Sequence, residues 1–392
     1  MMKNKGRPSE PIKTLYMLDD PGKDKHVHSH VLRGLVEAGI EPVIGYFYGD
    51  PKDSVMAQDG ISAFGLGLER AQFRGLNLRA VRRLKALIGR EGFKVVHCQR
   101  HRALIHAGLA LPGTQGPSLF YTVRSTNVLR NLQRRLGFRL ISKRLAKVIC
   151  VSKAVCDYMK KMAPYMPESK FVIIRNGVDL SAFEKPFSRD EARRFLGIPE
   201  DGFYFGIIAR LKKAKCHDCL LRAFKEVVKI FPESRLAIVG DGPLLHDLKK
   251  ICQELGLLEK VFFTGKVEYD QVALSMRAFD CFVHPSFREG LPVAVLEAMA
   301  SNLPVITTWA DGIRDIFELW EAGGEDSEIG KMVAPRDVEG LASAMIEYRN
   351  KTSEELSKIG TNARRCVEKH FSKEKMVDAT VSVYEESLGK SS

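Results

Sequence analysis

No run of about 18 apolar residues occurs in the 392-residue chain, so no membrane-spanning helix is expected. The N-terminal MMKNKGRPSEPIK carries charge with no apolar stretch behind it, which argues against a secretory signal. Residues 1–10 read as a flexible tail. The eight cysteines are scattered through a long chain, so reduced cytoplasmic thiols are expected rather than a disulfide framework. One C-x-x-C occurs, Cys216-His217-Asp218-Cys219, but no second pair lies at zinc-finger distance, so no metal is expected. A serine nucleophile elbow and a phosphate-binding P-loop are also missing, which removes the usual sites of hydrolases and kinases.

Acidic residues are absent from one long stretch, Gly92 to Cys156. The formal net charge of +13 is divided unevenly. Residues 1–185 hold 32 Lys and Arg against 15 Asp and Glu, a net +17, whereas residues 186–392 hold 29 against 33, a net −4. A field of that sign and placement favours an anionic partner: nucleic acid, a membrane surface or a phosphorylated lipid. The basic stretch contains no recognisable nucleic-acid motif, which counts against the first.

What is present is a strand–helix alternation that runs twice. In the first half, strands are expected at 13–18, 42–48, 94–98, 118–123, 148–152 and 171–174, with helices between them at 26–38, 76–89, 102–110 and 129–146. The pattern restarts after a polar joint at 181–193, with strands at 204–208, 235–239, 261–264, 281–284 and 304–307. Such alternation implies parallel sheets covered on both faces. Length alone favours two domains, here 11–184 and 185–372, followed by a last helix at 373–392 that packs back on the first. In the helix at 129–146 the apolar residues 129, 132, 136, 140 and 145 read as a core-facing stripe. Arg130, Arg134, Arg135, Arg139, Lys143, Arg144 and Lys147 then form a solvated face that also suits anionic lipid. His26, His28 and His30 alternate; on a helix only His26 and His30 share a face. His97, at a strand end and followed by His101, points toward the ligand side of the sheet.

The stretch Phe287–Ala300, FREGLPVAVLEAMA, carries the sharpest chemistry. A strand ends at His284 and a helix is expected from Pro292, a residue favoured at the first helical position. Backbone N–H groups at Gly290 and Leu291 then face the space above the strand ends, and such a terminus attracts phosphate. Glu289 lies in the loop and Glu297 within the helix. A carboxylate accepts two hydrogen bonds from vicinal hydroxyls, so ribose or a sugar ring is a natural ligand.

This segment resembles the E-x7-E motif of the retaining glycosyltransferases of family four, whose fold is GT-B. Further elements of that family follow in order. Ala209-Arg210-Leu211, Lys215 and His217-Asp218 resemble its G-R-L…K-G-x-D element, with Ala209 and Cys216 standing where Gly is usual. Ile238–Leu244 resembles its I-x-G-x-G-P-L turn, and Phe263–Val267 its F-x-G-x-V segment. Ala310–Ile316 is a looser G-G-x-x-E. Val151-Ser152 and Asn176-Gly177-Val178-Asp179 resemble the elements at its domain joint. The resemblance is dense from about residue 148 to 345 and thin before it. Asp20-Pro21-Gly22-Lys23 replaces the usual Gly-Gly turn, and Arg124 stands where many members have His.

The resemblance implies an α/β protein of two Rossmann-like, doubly wound domains facing across a cleft. It implies a metal-independent transferase that moves a sugar, with retention, from a UDP- or GDP-linked donor, with no cofactor besides that substrate. Arg210 and Lys215 would clamp the diphosphate and Glu289 the donor sugar, as the catalytic set. Glu297 would hold the ribose, with Gly290, Leu291, Lys266, Val267 and Gly22 completing the donor site. Arg124 and His97 are candidates for contact with the sugar or the acceptor, although Arg124 also reads as one more surface charge. The expected acceptor is a glycan or lipid-linked saccharide of bacterial cell-surface polysaccharide or lipopolysaccharide synthesis. The expected place is the cytoplasm, with peripheral attachment to the inner face of its membrane. A nucleotide-sugar epimerase of the same fold and a basic nucleic-acid-binding protein are the alternatives.

Overall fold

The computed structural model describes residues 11–23, 27–71, 75–113, 116–325 and 327–389. The tail expected at 1–10 and His26 lie outside these residues, as do the side chains of His28 and His30. The chain divides into two compact units, Met1–Gly177 with Lys373–Ser392, and Val178–Ser372.

The first unit is built on strands β1 (Ile12–Leu18), β2 (Ile40–Tyr48), β3 (Ala63–Leu68), β4 (Val95–Cys98), β5 (Ser118–Val123), β6 (Leu145–Cys150) and β7 (Phe171–Ile173). They form one parallel sheet in the order β3-β2-β1-β4-β5-β6-β7. The second unit holds β8 (Tyr204–Ile208), β9 (Arg235–Val239), β10 (Val261–Gly265), β11 (Cys281–His284), β12 (Val305–Thr308) and β13 (Gly330–Val333). Its sheet is parallel in the order β10-β9-β8-β11-β12-β13. In each sheet the winding reverses once, between β1 and β4 and between β8 and β11. Doubly wound sheets open a ligand crevice at the carboxyl ends of the strands at that reversal.

Burial explains why the central strands read so clearly. Parallel strands are covered on both faces, so their residues are apolar almost without alternation. In the second unit Phe205, Ile207, Leu236 and Ile238 pack with Leu220, Leu221, Phe224 and Val227 of the helix His217–Ile230, all fully buried. Each such side chain contributes about 1.5–3 kcal/mol relative to exposure. The edge strands β3 and β13 lack that signature. Gly65 and Gly67 dilute β3, which alternates between exposed and buried, and β13 opens on Gly330 and is only half-buried for three of its four residues.

The last helix, Lys373–Ser387, belongs to the first unit. Val377 lies so near Gly34 that a Cβ there would meet its Cγ2 at 2.3 Å. Tyr384 is fully buried, with its hydroxyl 2.5 Å from His97 Nδ1 and its ring 5.0 Å from that of Phe120.

One expected packing face is overturned. The helix runs from Leu132 to Ser142, with Asn131 capping it by accepting from Arg134 N–H. Its buried residues are Phe138, Ile141 and Ser142, not the leucine stripe. Leu132, Leu136 and Leu140 are 69%, 59% and 66% exposed. Ile141 sets the orientation, because Gly108 of the neighbouring helix lets it approach to a distance at which a Cβ would clash at 2.4 Å. Leu129 and Leu145 are buried but lie outside the helix.

Candidate functional site

In the second unit, the loops that leave β8, β9 and β10 are tied together by their backbones. Ala209 N–H donates to Val239 O at 3.0 Å, Leu211 N–H to Asp241 O at 3.0 Å, and Gly240 N–H to Gly265 O at 2.7 Å. A Cβ on Gly240 would lie 2.0 Å from Ala209 O, and one on Gly242 would lie 2.5 Å from Leu211 O. The two glycines are therefore required for the close approach that sets Arg210 at the strand ends. Arg210 is exposed. Its charge is the main cause that lowers the pKa of Lys212, with burial second, so positive charge is concentrated here.

After Arg210 the chain makes a single turn, Lys213–Lys215, then passes through Cys216 at φ +52° into the helix His217–Ile230. A left-handed conformation costs a non-glycine residue about 1–2 kcal/mol. Cys216 is one of three non-glycine residues among those described that hold a positive φ. Cys216 and Cys219 are free and buried, with their sulfurs 2.7 Å apart. Their ligand atoms and that of exposed Asp218 lie within 4.8 Å of one another, one ligand short of a closed tetrahedral zinc site.

Lys215 Nζ reaches Glu289 Oε1 at 2.5 Å. The same oxygen lies 3.0 Å from His284 Nε2, and Ser286 Oγ is 3.1 Å from that nitrogen. Burial alone would raise the pKa of Glu289, but the hydrogen bond from His284 and the charge of Lys215 overcome it and hold the carboxyl at about 2. An ionised carboxylate only accepts, so His284 Nε2 carries the proton it donates. Burial first, and Lys215 second, lower the pKa of His284 against the opposing pull of Glu289, so the ring is neutral. Phe287 N–H donates to Ala214 O at 3.1 Å, which ties the two loops across the β8–β11 reversal. No motif marks His284 or Ser286. Their one signal is position, at and just beyond the end of β11 beside the reversal.

The helix Val293–Ala300 begins one residue later than expected, with Pro292 as its N-cap at ψ 113° and no capping side chain. Gly290 and Leu291 are buried in the approach to it. Asn302 closes it in the left-handed region at φ +60°. Glu297, in its middle, is 5% exposed. Among the described residues its buried Oε1 has no hydrogen-bond partner. Leaving a buried acceptor unmade costs about 1–3 kcal/mol, and burial pushes the carboxyl up to about 7. Lys266 is exposed and pairs with Glu268 at 2.7 Å, and Val267 beside it is half-buried. The structure thus joins Lys215 to Glu289 directly, and sets Arg210, Glu297, Lys266 and Val267 on the strand-end loops and helix of the same unit.

Glu297 has a consequence for stability. Its raised pKa favours the folded chain fully below the unfolded value of about 4.5, and that contribution is lost as pH rises through about 7. Glu297→Gln removes the dependence. The variant is expected to be more stable than the parent by about 3 kcal/mol at pH 8 and no more than marginally so at pH 4.5. Urea unfolding at both pH values measures this, and parallel stability curves for parent and variant would refute it.

In the first unit, Gly22 lies exposed in a short turn, Pro21–Lys23, directly after β1. Arg124, at the end of β5, donates from Nη1 to Asn176 Oδ1 at 2.8 Å and from Nη2 to Gln99 Oε1 at 3.1 Å. It lines a cavity together with Gln99 and His101. His97 does not. Its two ring nitrogens lie 2.5 Å from Tyr384 Oη and 2.7 Å from Thr122 Oγ1, and the ring is 3% exposed. Burial first, and Arg124 second, lower its pKa to about 3. It is a neutral support behind the cavity wall. A strand-end histidine followed by a polar residue carries no signal that separates the two roles.

Residues 26–182 match the family model described as Glycosyltransferase Family 4, and residues 188–366 the model described as Glycosyl transferases group 1. The chain is 25% identical over 333 residues to the UDP-Gal:alpha-D-GlcNAc-diphosphoundecaprenol alpha-1,3-galactosyltransferase of Escherichia coli, covering 79% of this chain and 81% of that protein. It is 26% identical over 259 residues to the lipopolysaccharide core biosynthesis mannosyltransferase of Rhizobium meliloti (strain 1021), covering 64% and 69%. The crystal structure of Anabaena Alr3699/HepE in complex with UDP and glucose superposes with a TM-score of 0.79 at 19% identity, over 97% of this chain and 100% of that one. The two family matches follow one another along the chain, and the protein belongs to glycosyltransferase family four, with the two Rossmann-like units of the GT-B fold.

Proposed function

We propose that the second unit binds a UDP- or GDP-linked sugar, that the first unit binds the acceptor, and that the sugar is transferred with retention and without metal. The observation that carries this reading is the pair of carboxyls eight residues apart. Glu289 is held ionised by Lys215 and His284, and Glu297 is buried with one oxygen open. An unmet buried acceptor suits a ribose hydroxyl, and an ionised, cation-paired acceptor suits hydroxyls of the donor sugar. In the reaction the bond from the anomeric carbon to the diphosphate breaks and its electron pair leaves with the phosphate oxygen. The acceptor hydroxyl bonds to the carbon on the same face, and its proton passes to the leaving phosphate. Arg210, Lys215 and the uncapped start of the helix Val293–Ala300 meet the charge that develops. Lys266, Val267, Gly290, Leu291 and Gly22 complete the donor contacts.

The acceptor in this reading is a glycan or lipid-linked saccharide of cell-surface polysaccharide or lipopolysaccharide synthesis. The two relatives named above support it, one by its diphosphoundecaprenol-linked substrate and one by its role in lipopolysaccharide core biosynthesis. Both are transferases, which disfavours an epimerase. No helix among the described residues is long and apolar enough to cross a membrane. The exposed leucines 132, 136 and 140, set among the exposed Arg135, Arg139 and Lys143, support a peripheral place on an anionic inner membrane surface.

Incubation with a panel of UDP- and GDP-sugars, following nucleotide release and product, tests the donor half. Turnover with at least one donor is expected, and Arg210→Ala should lower it about 10²–10³-fold. A folded sample that turns over no nucleotide sugar sinks the reading, and an Arg210→Ala variant equal to the parent sinks that residue's role.

A further inference from the structure

The first unit contains a cavity of about 370 Å3 at the carboxyl ends of β1, β4 and β5, beside the reversal of its sheet. Arg100, Arg102, Arg124, Arg130 and Arg134 line it, against one carboxylate, Asp19. All five cations are arginines, whose planar fork matches two oxygens of one phosphate at a time. Arg124 is oriented from behind by Gln99 and Asn176.

Two further features point to an anion. The helix His101–Ala110 begins at the cavity wall, with Arg100 as its N-cap and no capping side chain. Its first N–H groups therefore add to the positive field. His101 also lines the cavity, is 8% exposed, and has no partner for its Nδ1 among the described residues. Burial, then Arg134 and Arg102, lower its pKa to about 4, so it is neutral and free to hydrogen-bond with a ligand oxygen. So many like charges around one small space repel one another unless an anion enters.

We propose that this cavity holds the phosphate or diphosphate group of a lipid-phosphate-linked acceptor. The inference rests on the transferase reading and deepens it, because it names the part of the acceptor that the first unit grips. Its position fits. Arg130 immediately precedes the cap of the helix Leu132–Ser142 and Arg134 lies in its first turn, and its leucines 132, 136 and 140 face solvent. A phosphate gripped at the start of that helix leaves its lipid within reach of an apolar, cation-flanked surface.

The donor also carries a diphosphate, so the test must separate the two. Pyrophosphate is titrated calorimetrically into the full-length protein already saturated with UDP or GDP, whichever binds. One pyrophosphate site is expected. Its affinity should fall at least about tenfold in Arg100→Ala/Arg134→Ala, with nucleotide affinity unchanged within about twofold. Because Arg134 also donates to Val128 O at 3.0 Å, the exposed Arg130→Glu provides a second variant, expected to weaken pyrophosphate in the same way. Arg134→Lys, which keeps the charge and loses the fork, should fall between parent and alanine. The proposal is overturned if saturating nucleotide abolishes pyrophosphate binding, or if both the double variant and Arg130→Glu bind as the parent does. Should neither nucleotide bind, the donor reading fails on its own, and the same titration without nucleotide still decides the cavity.

Discussion

Replacing Glu289 with alanine is expected to lower kcat/KM by about 10²–10³-fold, equivalent to about 3–4 kcal/mol of lost transition-state stabilisation. The size follows from what the carboxylate joins. It neutralises Lys215 at 2.5 Å and accepts a hydrogen bond from a fully buried, neutral His284. Without it Lys215 loses the partner that fixes its position, and the site loses an acceptor for sugar hydroxyls. Glu289→Gln separates the two effects: it keeps an acceptor oxygen but removes the charge, and should recover only part of the loss. The side chain of Glu289 is 13% exposed and sits in a loop, so the fold should persist with a modest drop in stability. Steady-state kinetics beside thermal melts provide the readout. A folded alanine variant that keeps more than a tenth of parental kcat/KM would remove Glu289 from the chemistry.

A triple replacement, Leu132→Ser/Leu136→Ser/Leu140→Ser, should abolish attachment to anionic vesicles while leaving the first unit folded. Each leucine moved from water into an apolar layer contributes about 1.5–3 kcal/mol. Even half of that for three interfacial leucines exceeds about 2 kcal/mol, and the expected fall in partitioning is at least about 30-fold. Flanking Arg135, Arg139 and Lys143 add about 1 kcal/mol each close to an anionic surface, and less as salt rises. The three leucines are more than half exposed, so their loss opens no cavity. Flotation with phosphatidylglycerol-containing vesicles and with phosphatidylcholine alone decides it. The parent should float with the first at low salt and the triple variant should not. A parent that stays at the bottom at low salt, or a triple variant that floats as well as the parent, refutes the membrane face.

The sequence analysed alone yields the two parallel sheets and the segment Phe287–Ala300 because both are written in local spacing. Covered strands are apolar throughout, and a motif with two carboxyls eight residues apart needs no tertiary knowledge to find. What stays hidden depends on which surfaces meet. The leucines at 132, 136 and 140 declare a stripe, but Phe138 and Ile141 declare a second one on the same helix. Only the space beside Gly108 decides that the second faces inward. His284 is invisible for a related reason: a histidine that ends a buried strand reads as core until Glu289 is seen 3.0 Å away. The left-handed turn at Cys216 leaves no trace in a residue type that seldom adopts it. Edge strands β3 and β13 escape because half-buried, glycine-bearing segments carry too little apolar pattern.

The last helix gives the molecule a history in time. A ribosome finishes the first 177 residues and then makes the roughly 195 of the second unit before Tyr384 exists. At about 5–20 residues per second that interval is about 10–40 s. Throughout it His97 lacks the hydroxyl of Tyr384, Phe120 lacks the ring of that tyrosine, and the groove at Gly34 lacks Val377. The unit that begins synthesis first is thus the last to be complete. A chain cut before Lys373 would lose the packing of the first unit at Gly34, His97 and Phe120.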